Sequence, residues 1–357
     1  MRLGLLLSIA IAVSAQAEDW RAVVDKPANE IVKEGKYATV VVGVLDKDHE
    51  QVFSFGEWEG KAPDRDSIYE IGSITKVFTG ILLADRVKSG VVKLDDPVQK
   101  HLPDGWTMPR RDDRDITLLH LATHTSGLPK MSNGFLAVAI AHPEDPFAHF
   151  DEAALRKGLP ETKLLSAIGA RQEYSNVGVG LLGHALAHAS TAENYKALLT
   201  ERVLKPLGLD DTAITLSGAQ KKRVIPGHTA KGKQQQNWNF ATCAACGALK
   251  STVGDLLKFV KVNADPPGPL KDALEMAQQN WRDVRPGEEE CGLCWIRYVG
   301  KNKKDPTRIW HNGQTGGHHS FVGFVPGRGG VVVLCNVTTF DVDKVGFAVL
   351  NKLAEAK

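Results

Sequence analysis

Ser73-Ile74-Thr75-Lys76 places a hydroxyl three residues before an amine. On a helix, residues three apart share a face, so the Lys76 amine would lie beside the Ser73 hydroxyl. That pairing suits nucleophilic chemistry, because a serine attacks only when a neighbour takes its proton. A match this short arises roughly once by chance in a chain of this size, so its setting must carry the weight. Gly72 lets the backbone turn closely, and Val77, Phe78, Ile81, Leu82 and Val87 recur near helical spacing. The spacing predicts a mostly buried helix over Ser73 to Lys88, stopped at Gly90, with Ser73 at the end whose amides favour developing negative charge.

Two further polar groups lie downstream. Tyr174-Ser175-Asn176 falls in a polar loop, Gln172 to Asn176, that enters the apolar run Val177 to Ala187. His311-Asn312-Gly313 ends a predicted strand, Arg308 to His311, ahead of Gln314-Thr315-Gly316-Gly317. In this order the three elements resemble the S-x-x-K, Y-x-N and K-T-G elements of serine β-lactamases and penicillin-binding proteins. The resemblance is closest to the class C β-lactamase and D-Ala-D-Ala carboxypeptidase branch. It extends through Leu94-Asp95-Asp96-Pro97, the segment Leu118 to Pro129, Pro206-Leu207-Gly208-Leu209, Lys250-Ser251-Thr252 and Gly292-Leu293-Cys294-Trp295. It covers essentially the whole mature chain.

The resemblance implies an α/β serine β-lactamase-like fold, an antiparallel sheet flanked by helices plus a mostly helical domain, with the active site between them. It implies Ser73 as the nucleophile that becomes acylated, with Lys76 and Tyr174 sharing the serine proton. A desolvated lysine can have a lowered pKa and accept a proton. Which of the two is the base stays open, and they would titrate as a coupled unit. Asn176 would bond the substrate amide and hold Lys76. The backbone amides of Ser73 and Gln314 would form the oxyanion hole, each donor worth about 2.7 to 4 kcal/mol.

The third element departs from the common form, with His311 where lysine is usual and Asn312 where threonine is usual. Gly313 keeps the strand open to substrate. A histidine near its reference pKa of about 6.5 would carry partial charge to meet a substrate carboxylate. Asn336 or His318 would be the alternative carboxylate partners, and His318 and His319 would line the cleft rim.

Elements must position these groups. Ala38 to Leu45 and Gln51 to Phe55 read as paired strands. Helical pieces separated by Pro and Gly follow from Asp95 to about Gly232, including Thr117 to Thr123. A helix, Thr252 to Val262, then precedes strands Gly292 to Tyr298, Arg308 to His311, Ser320 to Val325 and Val331 to Asn336, and Asp341 to Ala356 closes the chain as a helix. Strands at both ends with helices between predict one sheet built from both termini. The expected division is 18–95 with 233–357 as the α/β domain and 96–232 as a helical insertion.

Lys plus Arg number 44 against 42 Asp plus Glu, giving a net charge of +2 without single-sign runs. This argues against a nucleic-acid partner and for small-molecule chemistry. Arg2, the apolar run Leu3 to Val13 and Ala15-Gln16-Ala17 read as a signal peptide over 1–17, with a mature start near Glu18. That run is too short to span a bilayer, which takes about 20 apolar residues. The expectation is an exported protein, periplasmic or secreted, without stable membrane insertion.

Four of the five cysteines form two C-x-x-C pairs, Cys243 with Cys246 and Cys291 with Cys294. The duplicated spacing suits one structural four-thiolate zinc, while export favours disulfides across the pairs. Cys335, in an apolar run, reads as a buried thiol. The serine chemistry needs no cofactor. The expected function is hydrolysis of β-lactam amide bonds through an acyl-enzyme. The alternatives are a D-Ala-D-Ala carboxypeptidase or endopeptidase, an esterase, and a penicillin or peptidoglycan sensor that acylates without turnover.

Overall fold

A computed structural model of the chain describes residues 20–300, 302, 304–338 and 341–355. The expected leader, 1–17, and the mature start near Glu18 lie outside the described residues.

The strands are β1 (Val40–Asp46), β2 (His49–Phe55), β3 (Tyr69–Glu70), β4 (Gly227–His228), β5 (Gln234–Gln235), β6 (Lys250–Ser251), β7 (Arg282–Arg285), β8 (Glu289–Cys291), β9 (Ile296–Tyr298), β10 (Arg308–Gln314), β11 (His319–Val325) and β12 (Gly329–Cys335). The helices are α1 (20–34), α2 (Thr75–Lys88), α3 (Leu118–Ala122), α4 (Phe135–Ala141), α5 (Glu152–Gly158) and α6 (Asn176–Ala189). They continue as α7 (Tyr195–Leu199), α8 (Gly218–Lys221), α9 (Val253–Ala264), α10 (Lys271–Gln278) and α11 (Val342–Glu355).

Eight strands form one sheet in the order β2-β1-β12-β11-β10-β9-β8-β7. The two ends of the chain meet in its middle, where β1 pairs antiparallel with β12 from Val40 opposite Cys335 to Asp46 opposite Gly329. An antiparallel sheet with one wet face would alternate apolar and polar residues. Here β11 and β12 are buried throughout and β1 up to Leu45, and their residues are mostly apolar on both faces because both faces are covered. Val41, Val322 and Leu334 enter the core that holds α9 and α2. Val40, Val42, Phe321 and Val333 enter a second core closed by α1 and α11. Cys335 lies fully buried in that second core.

Several element bounds differ from the sequence reading for local reasons. Gly72–Ile74 form a tight 3-10 turn, and α2 proper begins at Thr75. β10 continues past His311 because β11 keeps pairing with it as far as Gln314 opposite His319. Gly292 to Trp295 turn instead of extending: the Gly292 amide donates to the Trp295 carbonyl and Cys294 has φ +62°. β9 therefore starts only at Ile296. α1, α10 and β7 have no counterpart in the sequence reading, and α4 and α5 fall among the helical pieces expected between Asp95 and Gly232.

The tetrathiolate expected of the C-x-x-C pairs does not form. Among the described residues no group of three or more His, Cys, Asp or Glu side chains is placed to hold a metal. All five cysteines are buried free thiols, so the cross-pair disulfides do not form either. Cys243 packs against Gly180 of α6, whereas Cys291 donates from Sγ to the Gly292 carbonyl at 3.1 Å. Burial raises every one of these thiol pKa values, that of Cys291 to about 12. Metal binding needs the thiolate, which this apolar setting disfavours.

Candidate active site

The three sequence elements converge at one end of the sheet. Ser73 sits in the turn between β3 and α2, and this turn presses on β10. Gly72 has φ +49°, and a Cβ there would lie 2.7 Å from the Gln314 backbone nitrogen. Only glycine serves at this position, in both conformation and space. A Cβ on Gly313 would lie 2.9 Å from the Ser73 nitrogen. The backbones of Ser73 and Gln314 are thus neighbours, as two donors to one oxyanion must be.

Tyr174 enters from the segment before α6. Ser175 caps that helix, its Oγ accepting from the Gly178 amide at 3.0 Å, which fixes where Tyr174 stands. The Tyr174 hydroxyl donates to Ser73 Oγ at 2.7 Å. Lys76, fully buried, donates from Nζ to Ser73 Oγ at 2.9 Å and to the Cys246 carbonyl at 2.7 Å. Its Nζ also lies 4.8 Å from the centre of the Tyr174 ring.

The lowered lysine pKa expected from burial is not what results. Burial does oppose the ammonium, but Tyr174 and then Cys246 outweigh it, and Lys76 sits above the ordinary lysine value. In this geometry Lys76 Nζ stands as a donor to Ser73 Oγ. The expected contact between Asn176 and Lys76 is also replaced. Among the described residues the amine bonds Ser73 and the Cys246 carbonyl, while Asn176, the first residue of α6, lines the cleft.

His311 is buried on β10 beside the same cleft, its ring centre 6.4 Å from that of Tyr174. Its Nδ1 donates to the Asn312 carbonyl at 2.5 Å, so Nε2 is left as an acceptor. Burial, with Lys76 adding repulsion, pushes its pKa down to about 4. The partial charge expected of it near neutrality is absent. Asn312 turns away and donates to Asp343 at 2.8 Å.

The alternative carboxylate partners do not reach the cleft. Asn336 is fully buried, accepting from the Thr39 amide at 2.7 Å and donating to the Pro226 carbonyl at 3.0 Å. His318 donates from Nε2 to the Ile225 carbonyl at 2.9 Å, with Nδ1 3.4 Å from Glu70. His319 does line the cleft, and burial pushes its pKa down to about 4.

Two contributors escaped the sequence reading. The Cys246 carbonyl is one, and a backbone acceptor has no signature in residue type. His124 is the other, in the segment Leu118 to Pro129. Its carbonyl accepts from the Glu173 amide at 2.7 Å, its Nδ1 accepts from the Ser175 amide at 3.2 Å, and its ring lies 4.7 Å from that of Tyr174. Its place in the segment Leu118 to Pro129, which carries part of the family resemblance, was its only signal in the sequence. The cleft encloses about 810 Å³, with Ser73, Tyr174, Asn176, His311 and Gln314 on its polar side.

The sequence matches the family model described as Beta-lactamase over residues 24–354. The chain is 31% identical over 320 residues to the D-alanyl-D-alanine-carboxypeptidase/endopeptidase AmpH of Escherichia coli K12, covering 85% of this chain and 80% of that protein. It is 28% identical over 356 residues to a beta-lactamase of Pseudomonas fluorescens, covering 90% and 94%. The solved structure of the D-alanine carboxypeptidase AmpC from Burkholderia cenocepacia superposes with a TM-score of 0.77 at 25% identity, covering 94% of this chain and 99% of that one. A convergent serine, lysine and tyrosine inside this fold agrees with those likenesses, and the chain belongs to the Beta-lactamase family, in the class C branch of the serine β-lactamase and penicillin-binding protein superfamily, as a serine hydrolase.

Proposed function

We propose that the protein opens β-lactam amide bonds, or cleaves D-Ala-D-Ala peptides, through an acyl-enzyme on Ser73. The observation that carries this reading is the Ser73 hydroxyl held between Lys76 Nζ at 2.9 Å and Tyr174 at 2.7 Å. The serine proton passes to the coupled pair Tyr174 and Lys76 while Oγ bonds to the carbonyl carbon, and the pair returns it to the leaving nitrogen as the C–N bond breaks. Lys76 Nζ, bonded to Ser73 Oγ, holds that oxygen in line with the pair. The Ser73 and Gln314 amides receive the carbonyl oxygen as it becomes an oxyanion. Asn176 bonds the substrate amide. Water then releases the acyl group, and no cofactor takes part.

The D-Ala-D-Ala peptidase and esterase readings use the same residues. An uncharged His311 favours substrates that do not depend on a cation at this position. On this reading residues 1–17 direct export to the periplasm or beyond, and 96–232 form the helical domain across the cleft from 18–95 with 233–357. The test is to incubate the purified protein with several β-lactams and a D-Ala-D-Ala peptide, following intact mass and product together. Acyl adducts on Ser73 with release of product are expected, and adducts on another residue would overturn the reading. An adduct that never turns over would assign the sensor role instead.

A further inference from the structure

A second cavity, whose lining does not include Ser73, encloses about 580 Å³ with Lys221, Lys250, Gln234, Gln235, Asn237 and Asn239 on its polar side. The segment around Trp238 separates it from the cleft: Trp238 lines the cleft, while its neighbours Asn237 and Asn239 line the second cavity. Among the described residues the two lysines are the only charged side chains in this lining, and no carboxylate joins them.

Lys250 is the buried one of the two. It lies on β6 opposite Glu70 of β3, the strand that leads into the Ser73 turn. The residue is only 8% exposed, yet its Nζ has no close partner: the Trp238 carbonyl stands at 3.5 Å and the Glu70 carboxylate at 3.8 Å. A charged N–H donor ordinarily meets its acceptor at about 2.7 to 2.9 Å, and an ammonium has three such donors. Glu70 is shared with nearer groups, accepting from Thr315 at 2.7 Å with His318 at 3.4 Å. Asp145, the other carboxylate whose charge reaches Lys250, accepts instead from the backbone amides of Asn239 at 2.8 Å and Ala148 at 3.2 Å. Burial lowers the Lys250 pKa against the pull of Glu70 and then Asp145. A buried cation with its donors largely unused, on the wall of a cavity that offers amide N–H groups and no carboxylate, fits an anion.

We propose that this cavity binds a small molecule through one carboxylate or phosphate group on Lys250, and that the bound anion slows the Ser73 reaction by competing with Glu70 for that lysine. The site itself is independent of how Ser73 acts, whereas the effect on rate rests on Ser73 being the nucleophile as read above. Glu70 ends β3 and Thr315 follows Gln314, so their bond joins the two segments whose amides face the oxyanion position. An anion that draws Lys250 away leaves Glu70 less firmly seated, and Thr315 with it. Oxyanion donors stabilise a transition state only while they are held in place.

The test is a titration of isotope-labelled protein with inorganic phosphate and, separately, with acetate, at fixed pH and ionic strength, reading the side-chain amide NMR signals of Gln234, Gln235, Asn237 and Asn239. Saturable shifts are expected with at least one anion, and the one that binds more tightly assigns the class. Lys250→Gln should weaken binding tenfold or more, as a hydrogen-bonded charge requires, and the exposed Lys221→Gln less than about fivefold. Because Lys250→Gln also leaves Glu70 without its counter-charge, Asn237→Asp is the second variant. It keeps Lys250, adds a carboxylate to the cavity and should weaken binding on the order of tenfold. A thermal melt checks folding of each. In parallel, kcat for a reactive β-lactam or ester should fall on the order of threefold as the anion saturates wild type, less than the tenfold that a lost hydrogen bond to a charge can cost. Asn237→Asp should blunt that fall. No saturable shift with either anion, shifts confined to Tyr174, Asn176 and His311, or a rise in KM alone overturns the site. Binding equally strong in Lys250→Gln and Asn237→Asp means an adventitious ion only and overturns it as well. Binding with kcat unchanged keeps the site and overturns the coupling. Failure to turn over either substrate overturns the Ser73 reading and the coupling together, and leaves the site standing.

Discussion

The hydroxyl of Thr315 donates to the carboxylate of Glu70 at 2.7 Å, joining positions 245 residues apart. Glu70 ends β3, three residues before Ser73, and Thr315 follows Gln314. The bond therefore ties together the two backbone segments whose amides face one another across the oxyanion position. Glu70 is almost fully buried, with His318 at 3.4 Å and Lys250 at 3.8 Å. Burial opposes its charge, but His318 first and then Lys250 and Thr315 prevail, and its pKa lies below the ordinary value.

Thr315→Val removes this tie while keeping the side-chain shape. A hydrogen bond to a charged group is worth about 1.5 to 3 kcal/mol, so kcat should fall on the order of tenfold or more. KM should move less, because the oxyanion forms only in the transition state. Thr315→Ser should restore kcat. Steady-state kinetics on all three proteins check this, and a KM effect alone would mean that Thr315 only shapes the cleft.

Glu70→Gln should act more on stability, because it leaves Lys250 buried without its counter-charge, a loss of about 3 to 5 kcal/mol for a buried pair. The sign with pH is fixed by the direction of the shift. A carboxylate held below its unfolded value of about 4.3 adds stability above that pH, and the contribution is lost as pH falls through the lower folded value. Thermal melts of wild type and Glu70→Gln should therefore converge at low pH, and parallel curves would show that Glu70 is not charged in the fold.

Tyr174→Phe and Lys76→Ala should each slow acylation by orders of magnitude, and the double variant should cost far less than the two losses combined. Both side chains bond the same oxygen, and groups acting as one unit are non-additive. Ser73→Ala should abolish labelling by a β-lactam altogether. Pre-steady-state acylation rates decide the coupling, and full additivity would assign one of the two a purely structural role.

The convergence of Ser73, Lys76 and Tyr174 was legible in the sequence because their spacing and order reflect geometry: one helical turn for Ser73 and Lys76, one helix entrance for Tyr174. The sheet was legible for a related reason, since β1, β12 and β11 from Phe321 onward are buried on both faces and read as apolar runs. What was not legible depends on burial and on backbone atoms. His311 has the right place, but its neutrality comes from surroundings that no local pattern encodes. The Cys246 carbonyl under Lys76 is invisible in residue type. The duplicated C-x-x-C spacing suggested a metal because spacing alone cannot say that all four thiols are buried, which raises their pKa values and disfavours the thiolate a metal needs.

Chelation should accordingly change neither activity nor melting temperature. The cysteines are free and buried, so the native protein should react slowly with a thiol reagent and expose five thiols in denaturant without reductant. Fewer than five would show that disulfides form after all, and a melting temperature lowered by chelator would restore the metal.

His311 gives a prediction in which the sign can be worked out from its surroundings. Burial holds its pKa near 4, well below the reference of about 6.5. The unfolded chain therefore binds a proton between these values that the folded chain refuses, so His311 contributes stability at neutral pH that is lost as pH falls from about 6.5 through about 4. His311→Gln, which cannot titrate, should show a shallower fall of melting temperature over that interval. Catalytically, an imidazole neutral from pH 5.5 to 8 supplies no charge, so the ratio of kcat/KM for a carboxylate-bearing substrate to that for a neutral ester should not fall through that range on account of His311. His311→Lys should raise this ratio wherever the new amine is charged, although Lys76 nearby will lower the amine's own pKa. A wild-type ratio that drops with a midpoint near 6.5, and flattens in His311→Lys, would mean that the imidazole is protonated when substrate binds and that its burial is relieved in the complex.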